Sequence, residues 1–218
     1  MTYKESFLKF MVACDVLRFG NFTLKSGRKA PYFINAGNYQ TGTQLLQLGR
    51  YYAACIEEHH IPVETLFGPA YKGIPLATAT AIAMANQYEK TVNFCYDRKE
   101  VKDHGEGGMF VGKALEDGEK VVIIEDVMTS GKAMSEVYPK LKAAADVEIT
   151  GMIITVDRKE KALTSEKSAV QSVFEAYGVP VYSIVTIDDI IDGIRKGLIP
   201  GQEHLDAMLA YRKQYGVA

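Results

Sequence analysis

The spacing of apolar residues changes period several times along the chain. Phe7, Phe10, Met11, Cys14 and Leu17 recur at helical intervals, and Gly20 offers a terminator. Phe22–Leu24 and Tyr32–Asn35 read as short strands on either side of an S-G-R-K turn. Helical spacing returns from Thr43 to His59, through Leu45, Leu48, Tyr52 and Ile56. Beyond it strands and helices alternate. Thr65–Phe67 leads into a helix after Lys72, and Val92–Tyr96 into a glycine-rich loop. Val121–Ile124 leads into Lys132–Ala145, Ile149–Val156 into Ser168–Tyr177, and Val181–Val185 into Ile187–Arg195. This pattern predicts an α/β fold, a parallel sheet core flanked by helices on both faces. Residues 1–40 stand outside the alternation and read as a small N-terminal hood, packed on a core of residues 41–218 as one folding unit.

The segment V-V-I-I-E-D-V-M-T-S-G-K-A, Val121 to Ala133, carries the most chemistry. Its β-branched run is that of a strand buried on both faces. Glu125 and Asp126 fall where that strand ends, and Thr129, Ser130 and Gly131 make a turn of small residues before the next helix. Ligands of open parallel sheets bind beyond the strands' carboxyl ends. A helix N-terminus opening from such a turn offers unpaired N–H groups and a positive dipole end to a phosphate. Acids do not bind phosphate, but they accept hydrogen bonds from sugar hydroxyls or attract a metal ion. The combination points to a sugar phosphate. In the plainer alternative, Thr129 or Ser130 is only a helix cap. A P-loop is excluded, because G-x-x-x-x-G-K-[ST] is absent.

Two further segments bear on the same ligand. Ala70 to Gly73 follows the strand ending at Phe67, and its backbone N–H groups with the Lys72 ammonium suit a pyrophosphate. Arg98, Lys99, Lys102 and His104 lie on a stretch ending in Gly105, Gly107 and Gly108, the composition of a basic lid on a flexible hinge. Such a lid closes over a charged leaving group and keeps water from the reacting carbon. Arg158, just after a strand, offers a planar fork to a carboxylate; the plain reading is a surface pair with Asp157. Nothing resembles a nucleophile–base–orienter triad.

Composition narrows the setting. At 218 residues the chain fits one α/β domain with an appendage. A net charge of −2 gives no general attraction to nucleic acid or to an anionic membrane, so neither is an expected partner. Cys14, Cys55 and Cys95 are odd in number and widely spaced, which points to reduced, packed thiols in a cytoplasmic protein. The opening M-T-Y-K-E-S-F-L-K-F lacks the apolar run of a secretion signal, and no stretch is long enough to span a bilayer.

Four blocks together resemble the orotate branch of the type I phosphoribosyltransferases, in that family's order and across nearly the whole chain. They are F-T-L-K-S-G-R-K-A-P-Y-F-I-N-A-G (Phe22 to Gly37), F-G-P-A-Y-K-G-I-P (Phe67 to Pro75), R-K-E-V-K-D-H-G-E-G-G (Arg98 to Gly108) and the segment from Val121 to Ala133. The resemblance implies transfer of a phosphoribosyl group from 5-phosphoribosyl-1-pyrophosphate (PRPP) to orotate, giving orotidine 5′-monophosphate and pyrophosphate for pyrimidine synthesis. It assigns PRPP to Lys25, Tyr71, Lys72, Arg98, Lys99, Lys102 and His104. To these it adds the run Glu125, Asp126, Val127, Met128, Thr129, Ser130, Gly131, Lys132 and Ala133. Orotate falls to Lys25, Phe33, Ile34, Thr129 and Arg158; catalysis to Lys102, Asp126 and Lys25. Ile34 stands where the family often has an aromatic residue. The family also implies Mg²⁺ held mainly by PRPP, and a homodimer in which Lys99, Lys102 and His104 serve the neighbouring subunit's site. A purine phosphoribosyltransferase would keep the PRPP loop without the L-K-S-G-R and P-Y-F-I-N-A-G blocks. A non-catalytic PRPP sensor would add a basic face or a further domain.

Overall fold

The computed structural model describes residues 1–24, 26–102, 108–128 and 131–217, without the side chains of residues 99–102 and 108. Helix α1 (Tyr3–Ala13) starts at a capping box: the Thr2 hydroxyl accepts the Glu5 N–H, and the Glu5 carboxylate accepts the Thr2 N–H. It stops well short of Gly20. Asp15 takes the left-handed conformation (φ 57°), Asp15 N–H donates to the Val12 carbonyl and Val16 N–H to the Met11 carbonyl, and Val16 is buried. This is a Schellman ending with an aspartate where glycine is usual, so composition gave no stop signal. Leu17, expected on the helix, instead begins strand β1 (Leu17–Thr23), which pairs antiparallel with β2 (Lys29–Ile34). Both strands are longer than their apolar runs.

Helix α2 (Gly42–Glu58) and strand β3 (Thr65–Phe67) come next, then α3 (Gly73–Tyr88) and β4 (Asn93–Lys102). Strands β5 (Gly108–Gly112) and β6 (Lys120–Ile124) precede α4 (Lys132–Ala144) and β7 (Glu148–Asp157). Helix α5 (Ala169–Tyr177), strand β8 (Val181–Thr186), α6 (Ile187–Arg195) and α7 (Leu205–Tyr215) complete the chain. The main sheet has the order β5-β4-β3-β6-β7-β8, and every pair is parallel except β4–β5. Further elements differ from the pattern reading, the unpredicted strand β5 among them. Strand β4 runs past Tyr96 through the polar R-K-E-V-K stretch, because the edge strand β5 supplies an antiparallel backbone partner, with Lys102 opposite Gly108. Helix α7 lies beyond the last predicted element and packs on β2, burying Met208 and Tyr211.

The core follows the strand period of two. Leu66, Val122, Ile124 and Ile153 face one side, under α1, α2, α3 and α6. Phe67, Val121, Ile123 and Met152 face the other, under α4 and α5. The hood residues Leu17, Ala30 and Tyr32 belong to the first of these clusters. Helix α3 ends on Glu89, an exposed residue held left-handed at φ 53°. A left-handed non-glycine residue costs about 1–2 kcal/mol, partly offset by glycine's greater freedom when unfolded. Glu89→Gly is therefore expected to stabilise the protein by about 0.5–1 kcal/mol, read as a rise of about 1–4 °C in Tm by calorimetry.

Candidate active site at the carboxyl edge of the sheet

Strand β6 ends at Ile124, so Glu125 and Asp126 emerge at the carboxyl edge, next to the loop leaving β3. Their backbone is held by deeper groups. Glu125 N–H donates to the Ile153 carbonyl at 3.0 Å, and the buried Tyr52 hydroxyl donates to the Glu125 carbonyl at 2.7 Å. The Asp126 carbonyl accepts the Thr155 N–H at 3.0 Å and the Thr155 hydroxyl at 2.6 Å. With main chain fixed from behind, both carboxyl groups belong to the edge.

Across the gap, the loop from Gly68 to Lys72 is drawn tightly against β6. A Cβ on Gly68 would lie 2.3 Å from the Gly73 carbonyl oxygen, and one on Gly73 would lie 2.8 Å from the Ile124 carbonyl oxygen. Only glycine allows that approach. The closeness brings Lys72 Nζ to 2.6 Å from Asp126 Oδ2, joining the two loops by an ion pair. Asp126 is buried and Lys72 exposed. A cavity of about 170 Å³ opens beside this pair, lined by Ala36, Gly37, Tyr39, Leu48 and Thr155 as well. A larger one, about 540 Å³, lies at the other end of the sheet near Glu57, His60 and Lys90 and contains none of the candidate groups.

Helix α4 begins after Gly131, which is left-handed at φ 71°, and its start has no side-chain cap among the described residues. Lys132 is exposed and pairs with Glu136 one turn on. In the hood, Phe33 is part-exposed and stacks on Phe22 at 5.5 Å between ring centres, while Ile34 is half-buried opposite Leu17. Arg158 is not paired with Asp157. Its Nε donates to the Tyr32 hydroxyl at 3.2 Å and its Nη2 lies 2.7 Å from Glu160 Oε1, an ion pair joined by Arg28 from β1–β2's turn at 3.4 Å. Tyr71 is exposed and Arg98 half-buried. Lys25, His104, Thr129 and Ser130, and the side chains of Lys99 and Lys102, lie outside the described residues.

Residues 35–183 match the family described as Phosphoribosyl transferase domain. The chain is 45% identical to an orotate phosphoribosyltransferase of Lachnoclostridium phytofermentans, over 99% of this chain and 98% of that protein. It is 48% identical to the orotate phosphoribosyltransferase of Agathobacter rectalis over the same shares. The chain belongs to the orotate phosphoribosyltransferase family. A crystal structure of the Francisella tularensis member superposes with a TM-score of 0.87 at 39% identity, covering 97% of this chain and 100% of that one.

Sequence reasoning singled out the acids but missed the groups that hold them. Tyr52 and Thr155 appear in the pattern as a helix apolar position and a strand residue, and only tertiary contact gives their hydroxyls a task. For a divalent cation, the donor set is thin: no cluster of three or more His, Cys, Asp or Glu side chains forms a metal site among the described residues. Mg²⁺ demands six oxygens and keeps several waters, so Glu125 and Asp126 fit an ion bound chiefly by phosphate and sugar oxygens, not a protein cage.

Burial is the main influence on Glu125, and the adjoining Asp126 carboxylate adds to it; the Asp126 amide and Lys72 oppose, and the net effect raises its pKa to about 7. Between the unfolded value near 4.5 and about 7, the folded chain keeps a proton that the unfolded chain has lost. This contribution to stability is full below the unfolded value and falls as pH rises to about 7. Thermal unfolding of wild type and Glu125→Gln at pH 4.5 to 7.5 is expected to show wild type losing stability relative to the variant as pH rises. Parallel curves would contradict the shift.

Proposed function

We propose that this chain is an orotate phosphoribosyltransferase, a pentosyltransferase that moves the 5-phosphoribosyl group from PRPP to orotate, releasing orotidine 5′-monophosphate and pyrophosphate. The observation that carries the assignment of groups is the Lys72–Asp126 contact at 2.6 Å. In PRPP the pyrophosphate on the anomeric carbon neighbours the ribose hydroxyls, so a cation for one and an acid for the other must sit side by side. Lys72, Tyr71 and the Ala70–Gly73 backbone take the pyrophosphate; Glu125 and Asp126 take the hydroxyls. The segment leading into α4, Val127, Met128, Thr129, Ser130 and Gly131, with the helix's first residues Lys132 and Ala133, takes the 5-phosphate.

Orotate's ring nitrogen is an anionic nucleophile, so the reaction needs none from the protein. It forms the new bond to the anomeric carbon as the bond to pyrophosphate oxygen breaks, through an oxocarbenium-like state. The chain's work is then positioning, neutralisation of the leaving group and exclusion of water. Asp126 faces the positive charge developing on the sugar. Glu125 and Asp126 would help hold a PRPP-bound Mg²⁺, which would supply further neutralisation of the pyrophosphate. Arg158, held beside the hood by the Tyr32 hydroxyl and Glu160, is the donor for orotate's carboxylate, and Lys25, Phe33 and Ile34 bound the ring from the hood.

The hood and core act as one domain in this reading, supported by the apolar cluster they share. The working unit is a homodimer. Its support is the exposure of large apolar side chains on α2, α3 and β4, namely Leu46, Ile82 and Phe94. Arg98, Lys99, Lys102 and His104 belong to the basic lid, of which Lys99, Lys102 and His104 serve the partner's site. A cytoplasmic setting accords with three free thiols, of which Cys55 and Cys95 are buried and pushed up to about 12 by that burial. No described helix is long and apolar enough to cross a membrane.

Orotate absorbance is expected to fall when PRPP and Mg²⁺ are added to the protein; turnover of hypoxanthine or adenine with orotate untouched would overturn the assignment. Asp126→Asn keeps the shape and removes a charged acceptor worth about 1.5–3 kcal/mol, so kcat/KM should fall by about 10–150-fold. Unchanged kinetics in a folded variant would remove Asp126 from the site. Lys102→Ala and Asp126→Ala dimers should each be nearly inactive, yet regain activity when their subunits are exchanged, since one site per mixed dimer is then intact. Absence of recovery, with exchange confirmed by mass spectrometry, would place the lid over its own chain's site.

A further inference from the structure

Asp97 is one of the few buried carboxylates among the described residues, 5% exposed, and neither the acids that follow β6 nor the lid explains it. It lies on β4 opposite Phe110, at the last regular pair before the β4–β5 register shifts. Its Oδ1 accepts the Ala70 N–H at 2.8 Å, and its Oδ2 accepts from Lys140 Nζ on α4 at 2.6 Å. The neighbouring turn of the same loop is bound to β4 by main chain, Gly68 N–H to the Cys95 carbonyl at 3.0 Å. Ala70 lies one step beyond the reach of that ladder, and the Asp97 side chain takes over.

We propose that Asp97 is a positioning residue that sets the conformation of the Ala70–Gly73 loop for a pyrophosphate group, with Lys140 holding its carboxylate in place. This rests on the reading of that loop as the pyrophosphate cradle. Three pieces of the chain meet at this carboxylate: the cradle loop, the strand that continues into the lid, and the helix whose start faces the 5-phosphate. A buried carboxylate keeps its charge only when paired, and Lys140 supplies the pair from α4. Were Oδ1 removed, the Ala70 amide would lose its acceptor and the loop would turn to find another. The consequence is selective. Ligands that carry a pyrophosphate lose affinity, and ligands held only by the 5-phosphate and ribose groups do not.

The test is calorimetric titration of wild type, Asp97→Ala, Asp97→Asn and Lys140→Met with Mg²⁺-pyrophosphate, and separately with orotidine 5′-monophosphate. Asp97→Ala is expected to bind pyrophosphate about tenfold or more weakly and to raise KM for PRPP similarly. Its affinity for orotidine 5′-monophosphate and its KM for orotate should stay within about twofold of wild type. Asp97→Asn, which restores an acceptor for the Ala70 amide, should recover most of the lost affinity. Equal losses for both ligands, no loss, or an asparagine variant as weak as alanine would overturn the proposal. Should Asp97→Ala not fold, Lys140→Met decides: a several-fold loss confined to pyrophosphate and PRPP supports it, and a uniform or absent loss overturns it. If wild type itself binds no pyrophosphate while still binding orotidine 5′-monophosphate, the reading of the loop fails, a result distinct from all of these.

Discussion

Burial of β6 on both faces is the constraint on which the rest depends. Val121, Val122, Ile123 and Ile124 are all at or below 1% exposure, so β3 and β7 must satisfy the strand's backbone and helices must cover both sides. A strand so enclosed has no room for charge along its length. Glu125 and Asp126 follow at once, and the only place for them is the edge where the strand stops. The position of the site is thus a consequence of packing before it is one of chemistry.

At that edge the two loops are held at a separation set by glycine. Gly68 lets the loop fold back on Gly73, Gly73 lets the start of α3 lie against the end of β6, and Lys72 and Asp126 form an ion pair there. The exposed lysine is solvent-screened, so the pair is a weak stabiliser of the fold. In the proposed reading, an incoming pyrophosphate competes for the ammonium and sugar hydroxyls then take the carboxylate. Glu125 sits in a different balance: with burial and a like charge beside it, its proton is retained close to neutral pH. Two adjacent carboxyls are therefore unlike in environment, one paired with the Lys72 ammonium and one accepting the Asp126 N–H.

The hood is tied to the core by charge as well as apolar contact. Glu160 receives Arg28 from the hood, Arg158 from the end of β7 and the Tyr32 hydroxyl from β2, and Arg28 also lies over the Tyr215 ring of α7. Arg158 is consequently oriented by Tyr32 of the hood and by Glu160 together. Ala36 and Gly37, just beyond β2, line the same cavity as Lys72 and Asp126, so the hood borders the site.

Local pattern by itself determined the α/β alternation, the strand from Val121 to Ile124, the acids that follow it and the start of α4 at Lys132. These depend on side-chain period and on turn residues, which are properties of neighbouring positions. The resemblance carried by the four blocks gave the family and the residue assignments. Only the tertiary structure decided the rest. The ends of α1 and α3 fall on Asp15 and Glu89, held left-handed by hydrogen bonds and packing that composition does not announce. The polar half of β4 is a strand because β5 pairs with it. Tyr52, Thr155 and Asp97 acquire their tasks from partners 73, 29 and 27 residues away, and Arg158 meets Glu160 where sequence adjacency suggested Asp157. Hydrogen bonds and ion pairs between distant segments form where the fold brings donor and acceptor within about 3 Å, and a linear pattern holds no record of that distance.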